Sequence, residues 1–118
     1  MLRDKLKNMV EKFLFLVIDG ARNRATPDEM SEINQFNEKL RHDGNWITAA
    51  GIAGFNDAII IDNRANNFSI ENKSLIDGPE NYTGFWIIEA DSQSHALELA
   101  KAASRACNRR IEIRPYLR

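Results

Sequence analysis

The stretch that most constrains the fold is the apolar run at residues 84–90, with the sequence GFWIIEA. Aromatic and β-branched residues in close succession are typical of a strand that is covered on both faces. A rigid turn, Asp77-Gly78-Pro79, lies just before the run, and a helical pattern follows it at once. The sequence therefore predicts a central strand between a turn and a helix.

Further strands are predicted by composition and by flanking turn residues. They lie at residues 12–18, 46–53, 58–61 and 110–114, and the last one ends at Pro115. Residues 68–71 are predicted to return as the second arm of a hairpin across the polar cluster 62–67. Asn72-Lys73 is a second candidate for a turn, so the register of this region stays open.

Two helices are predicted. Thr26-Pro27-Asp28-Glu29 has the residues of a capping box with proline in the first turn, and Gly44 provides the end of this helix. The apolar face of the first helix is predicted to be Met30, Ile33, Phe36 and Leu40. The second helix starts at Asp91 or Ser92, and its predicted shared face is Ala96, Leu97, Ala100, Ala103 and Cys107.

Without the hairpin arm, the order of elements is β-α-β-β-β-α-β. This order predicts an α+β fold, a ferredoxin-like antiparallel sheet with two helices on one face. The other face of the sheet would then be exposed, and exposed aromatic residues are costly in water. We therefore predict a homodimer through the open sheet face. Residues 1–11 are expected to form an N-terminal extension, a short helix or an arm, ahead of a domain at residues 12–118.

Composition excludes several classes of protein. The 118 residues suffice for one domain, and the net charge of −1 has no long block of either sign. We expect no nucleic-acid partner and no membrane partner, because such surfaces require clustered basic residues or about 20 consecutive apolar ones. The single cysteine fits a reducing compartment, so a cytoplasmic location is expected.

No cofactor or metal is predicted. The two histidines, His42 and His95, and the single Cys107 have no metal-ligand spacing, and neither histidine has an evident partner for nucleophilic catalysis. We expect both histidines at the surface and Cys107 in the core.

Asp77 is the candidate catalytic carboxylate, with two interpretations. Its side chain closes the turn while Gly78 takes a conformation that other residues avoid, or it lies at a pocket rim as a base. The aromatic residues also allow two interpretations, a core with a dimer interface or the wall of a cavity for a flat ligand. The candidate ligand-binding residues are Trp46, Phe55, Asp57, Tyr82, Trp86 and Arg114.

Several segments resemble the YCII-related family, in particular its DGPF-motif branch. The resemblance runs from about residue 12 to residue 117, and its segments are Asp77-Gly78-Pro79, residues 84–91, Ala96-Leu97 with Ala100, and residues 112–115. It implies the dimeric α/β-barrel type of the ferredoxin-like fold, with a pocket between sheet and helices or near the dimer interface. It also implies that some relatives are small-molecule enzymes that use a His and an Asp, and that some are associated with alternative sigma factors.

The chain departs from the family pattern at two informative positions. Glu80 stands where the DGPF motif has Phe, and Ile33 occupies the place of the catalytic His of some relatives. The second departure argues against His/Asp chemistry. We expect a protein that binds or transforms a small organic molecule, by carboxylate acid–base chemistry if it is an enzyme. The alternative is a non-catalytic interaction or regulatory accessory protein, with a sigma factor as a candidate partner.

Overall fold

The computed structural model describes residues 10–20 and 24–117. The proposed N-terminal helix or arm falls almost entirely on residues 1–9, outside the described residues. The elements in chain order are β1 (Glu11–Gly20), α1 (Pro27–His42), β2 (Trp46–Gly51), β3 (Ile60–Asp62), β4 (Ser69–Glu71), β5 (Glu80–Ala90), α2 (Gln93–Cys107) and β6 (Arg110–Pro115).

Four strands form the main sheet, in the order β2-β5-β1-β6, and every neighbouring pair is antiparallel. With the two helices this is the predicted ferredoxin-like α+β arrangement, which is confirmed. One part of the predicted order was wrong. Among the described strands β3 pairs with β4 in the predicted hairpin, but the two form a separate sheet and β3 does not join the main one.

The two faces of the sheet have different environments. On β1 the side chains of Phe13, Phe15 and Val17 are buried in the core under the helices, whereas the alternate residues Leu14 and Leu16 are half-buried. This alternation is the period of two of a β-strand with one covered face. The smallest dimension of the chain is 18 Å. That thickness fits two layers, one sheet and one layer of helices.

The start of α1 has the predicted capping box. The Thr26 hydroxyl accepts a hydrogen bond from the Glu29 N–H at 3.1 Å, and the Glu29 carboxylate accepts one from the Thr26 N–H at 2.9 Å. Gly44 follows the helix with a φ of +79°, a left-handed conformation that glycine adopts without steric cost.

Ser92 is the N-cap of α2, because its hydroxyl accepts a hydrogen bond from the His95 N–H at 3.1 Å. The predicted buried face of α2 was wrong at Leu97, which is 48% exposed, whereas Ala96 beside it is fully buried. Successive residues on a helix are 100° apart, so Leu97 points away from the buried Ala96, toward the edge of the helix face that meets the core. The residues of α2 that meet the core are Ala96, Ala100, Ala103, Ala106 and Cys107.

Candidate functional site

A cavity of about 890 Å³ lies between α1 and the sheet, near the C-terminal ends of β1 and β2. Its apolar walls come from three elements, with Val17 on β1, Ile33 on α1 and Trp86 on β5. The segment that follows β2, from Ile52 to Asp57, forms another side. The cavity therefore has an apolar interior and a rim made of loop residues.

A pair of glycines keeps the cavity open at the sheet. Gly51 on β2 lies directly opposite Gly84 on β5, and both line the cavity. A Cβ atom on Gly84 would be 3.1 Å from the Ala50 carbonyl oxygen and 3.7 Å from the Val17 side chain, on the helix side of the sheet. A Cβ atom on Gly51 would meet only the Thr83 carbonyl oxygen, at 3.8 Å. The space in front of Gly51 is thus free for a ligand.

The Trp86 indole is a fixed wall of this cavity. Its Nε1–H donates a hydrogen bond to Asn37 Oδ1 at 2.7 Å, and the Phe36 ring meets it edge-on, with ring centroids 5.6 Å apart. A buried indole needs a partner for its N–H, and an edge-on pair holds the ring plane. The residue is only 4% exposed. Trp86 is therefore a rigid part of the cavity wall.

Polar side chains are placed around the apolar walls. Asn34 and Asn37 come from α1, whereas Asn56 and Asp57 come from the segment after β2. Arg24 lies at the cavity just before α1. Carboxamide groups both donate and accept hydrogen bonds, so the asparagines are able to orient a neutral polar group of a ligand, and Asp57 and Arg24 add one charge of each sign.

An ionic cluster lies at one side of the cavity. Arg109 lines it, and its guanidinium donates to the Asp19 carboxylate and, at 3.3 Å, to the Glu29 carboxylate. The Arg109 and Asp19 side chains are each only 13% exposed. The hydrogen bond to Asp19 raises the pKa of Arg109. This cation is committed to two carboxylates, so it supports the wall and is not free for a ligand.

The model of the YCII-related domain matches residues 12–118, which is nearly the whole chain. The chain belongs to the YCII-related family. A search of curated proteins found no match. The family match supports the resemblance seen in the sequence, and the DGPF branch is a finer assignment than it covers.

Two of the residues predicted for the site of this YCII-related domain line the cavity, Asp57 and Trp86. Ile33 also lines it.

Tyr82 and Arg114 come together on the other face of the sheet. The Tyr82 hydroxyl donates to Glu112 at 2.7 Å, and the Arg114 guanidinium donates to Glu112 at 2.7 Å and to the Tyr82 oxygen at 3.2 Å. The Tyr82 hydrogen bond, followed by the one from Arg114, lowers the pKa of Glu112. These residues form a satisfied polar cluster on the open face, apart from the cavity.

Trp46, Phe55 and Asp77 lie outside the cavity lining. Trp46 packs against the core, and the Arg41 guanidinium lies 4.2 Å from the centre of its ring system, a cation–π contact. Phe55 is half-buried at the start of a short 3₁₀ turn. Asp77 is exposed, and its carboxylate makes no hydrogen bond or ion pair with the described part of the chain. The expectation for Gly78 was wrong, because Gly44 is the glycine with a positive φ among the described residues.

Sequence reasoning missed the amides of the cavity. Asn34 and Asn37 are three residues apart on α1, next to the apolar positions Ile33 and Phe36. Polar residues at that spacing along the margin of an apolar stripe share one edge of a helix. That signal was available, but residues of this type are also common on solvated faces. Arg24 lies in a loop and Asn56 in a short 3₁₀ turn, where periodicity gives no information.

The other side chains with reactive groups are the Cys107 thiol and the two histidines. Burial raises the pKa of the Cys107 thiol, which favours its neutral, unreactive form. His95 pairs with Asp91 at 3.0 Å and His42 with Asp43 at 3.2 Å, both at the surface. Over residues 10–20 and 24–117, no three His, Cys, Asp or Glu side chains are grouped to hold a metal ion. In the same ranges, the helices are too short or too polar to cross a bilayer.

Proposed function

We propose that the cavity between α1 and the sheet binds a small organic molecule. The observation that carries the proposal is the cavity itself, about 890 Å³ of space beside a fixed indole and the open position in front of Gly51. Ligand sites typically measure about 300 to 1,000 Å³ and combine apolar walls with a few polar groups. A tightly filled interior would have favoured the interaction role instead.

The chemistry of the lining suggests the class of ligand. A flat or branched apolar body would pack on Trp86, Val17 and Ile33. A polar end would meet the amides of Asn34 and Asn56, which suit a carbonyl, hydroxyl or amide group. If the protein is an enzyme, Asp57 is the carboxylate placed for acid–base chemistry, whereas Asp77 is exposed outside the cavity.

We further infer the DGPF branch, a homodimer and a cytoplasmic location. Asp77-Gly78-Pro79 supports the branch, although Glu80 replaces its phenylalanine. Half-buried apolar side chains on the open sheet face, such as Leu16 and Phe85, support a sheet-to-sheet dimer. The single buried cysteine supports a reducing compartment.

Pocket-filling substitution tests the ligand proposal. A library of small metabolites is screened by thermal shift against the wild type and Gly51→Leu, which places a side chain in the open space of the cavity. Gly78→Leu is the matched control, because a Cβ there meets nothing within 4 Å and the residue lies outside the lining. We expect ligands that stabilise the wild type and Gly78→Leu, with affinity for Gly51→Leu at least about tenfold lower. Ligands that stabilise all three proteins equally would contradict the proposed site.

A further inference from the structure

The β3–β4 hairpin (residues 59–71) is separate from the main sheet. Its register is Ile60 opposite Glu71, Ile61 opposite Ile70 and Asp62 opposite Ser69. Each strand has only three residues, and the two strands pack chiefly on each other. An isolated two-stranded hairpin is marginally stable in water unless one of its faces is covered.

The large apolar side chains of the hairpin are exposed. Ile59 is 59% exposed, Ile61 63%, Phe68 61% and Ile70 54%. Ile61 and Ile70 are directly opposite each other, so they lie on the same face of the ribbon. Single exposed apolar residues are common, but a contiguous group of this size marks a contact surface.

The charges of the hairpin are paired within it. The Arg64 guanidinium meets the Asp62 carboxylate at 2.7 Å, and Lys73, just beyond the hairpin, meets Glu71 at 3.0 Å. Natural edge strands often carry free charges that discourage pairing with another chain. Here the charges cancel, and the exposed large side chains are apolar. The hairpin is therefore better suited to contact an apolar protein surface than a nucleic acid.

The open face of the main sheet is a second apolar surface on the same chain. Its half-buried side chains are Leu14, Leu16, Ile18, Phe85 and Ile87. Four strands about 4.8 Å apart, with lengths of six to eleven residues, give a face on the order of 500 Å². A specific interface buries about 800 Å² on each partner, so this face alone falls short.

The hairpin supplies the missing area. Four large apolar side chains, each more than half exposed, add roughly 100 Å² each. In a twofold dimer every copy gives one hairpin and receives one, so both apolar surfaces are covered at once. We propose that the β3–β4 hairpin packs on a second copy of this chain and extends the sheet-to-sheet interface. This inference rests on the proposed homodimer and adds an arm to it.

Sedimentation velocity between about 1 and 100 µM tests the inference, since self-association depends on concentration. Phe68→Glu places a charge on the hairpin just before β4, without altering a paired residue. Asn72→Glu is the control, an exposed polar residue just after the hairpin. Leu16→Glu probes the open face separately. Circular dichroism and melting temperature verify that each variant is folded.

We expect Phe68→Glu and Leu16→Glu each to weaken dimerisation at least about tenfold, and Asn72→Glu to stay within about twofold of the wild type. Hydrogen exchange of the wild type gives an independent readout that needs no substitution. The amides of residues 60–71 should exchange more slowly at concentrations where the protein is dimeric.

The results that would contradict the hairpin inference differ from those that would contradict the dimer or the cavity. A wild-type dimer that Phe68→Glu leaves intact, with no concentration-dependent protection of residues 60–71, overturns the hairpin inference and leaves the sheet dimer standing. A wild type that remains monomeric overturns both, but not the cavity, whose ligand test is separate. Co-sedimentation with phosphatidylcholine vesicles that is lost in Phe68→Glu would assign the hairpin to a lipid surface and overturn the second copy.

Discussion

Glu29 links the start of α1 to the ionic cluster beside the cavity. Its carboxylate accepts from the Thr26 backbone N–H at 2.9 Å and from the Arg109 guanidinium at 3.3 Å. The backbone hydrogen bond is the main cause that lowers the pKa of Glu29 below its ordinary value of 4.5. A carboxyl group with a lowered pKa in the folded state stabilises the fold above its ordinary pKa, and this contribution is lost as the pH falls through the lowered value.

Glu29→Gln is therefore expected to make stability less dependent on acid pH. Glutamine retains a side-chain oxygen for the capping box but does not titrate. The free energy of unfolding, measured with urea from pH 7 down to about pH 3, should fall less steeply for Glu29→Gln than for the wild type below about pH 5. Glu32→Gln, at an exposed position of the same helix, is the control. Parallel curves for Glu29→Gln and the wild type would contradict this role.

Individual residues were predictable where a local pattern fixes them. Thr26 and Glu29 follow from the spacing of a capping box, and the burial of Cys107 follows from its helical face. The link from Glu29 to Arg109 was not predictable, because the two residues are 80 positions apart and meet only through the packing of α1 beside the end of α2. Asp57 was predicted as a ligand-binding residue and lines the cavity, although its place there depends on how the loop after β2 folds.

At the scale of elements, the close approach of β2 and β5 depends on Gly84. A Cβ atom there would lie 3.1 Å from the Ala50 carbonyl oxygen, which is main chain and cannot rotate away. The opposite position on β2, Gly51, has no such neighbour, since its nearest contact would be at 3.8 Å. Neither glycine has a positive φ. Any difference in stability between substitutions at the two positions therefore reflects the available space and not the backbone conformation.

Gly84→Ala is expected to lower the free energy of unfolding by about 1 to 3 kcal/mol, because β2 must move away from β5. Gly51→Ala is the matched control. It should be neutral, or stabilising by about 0.5 kcal/mol, since alanine restricts the unfolded chain. Chemical denaturation of both variants measures the difference. Equal stabilities for the two alanine variants would contradict the tight contact at Gly84.

The elements themselves were largely predictable, and their partners less so. The periods of α1 and β5 are strong signals, and both elements form where the sequence predicts them. The hairpin of β3 with β4 was predicted, but its separation from the main sheet was not, because a strand as short as β3 does not specify which sheet it joins. The short connection to β4 and the exposed side chains of both strands indicate a separate hairpin only when the four strands of the main sheet are known.

At the scale of the whole molecule, the sheet separates two surfaces with different predicted roles. The helix side holds the core and the cavity, where Trp86 is fixed by Asn37. The open side has half-buried apolar residues and the polar cluster of Tyr82, Glu112 and Arg114. A ligand on the helix side and a second copy on the open side therefore do not compete for the same face.

The central claim is that the cavity beside Trp86 binds a small molecule, and the emission of that indole tests it most directly. The chain has two tryptophans, so Trp46→Phe leaves Trp86 as the only one. We predict that ligands found by thermal shift change the Trp86 emission in a saturable way, and that adding Gly51→Leu weakens this response at least about tenfold. Ligands that bind Trp46→Phe without changing the emission, or that bind equally well with leucine at position 51, would contradict the claim.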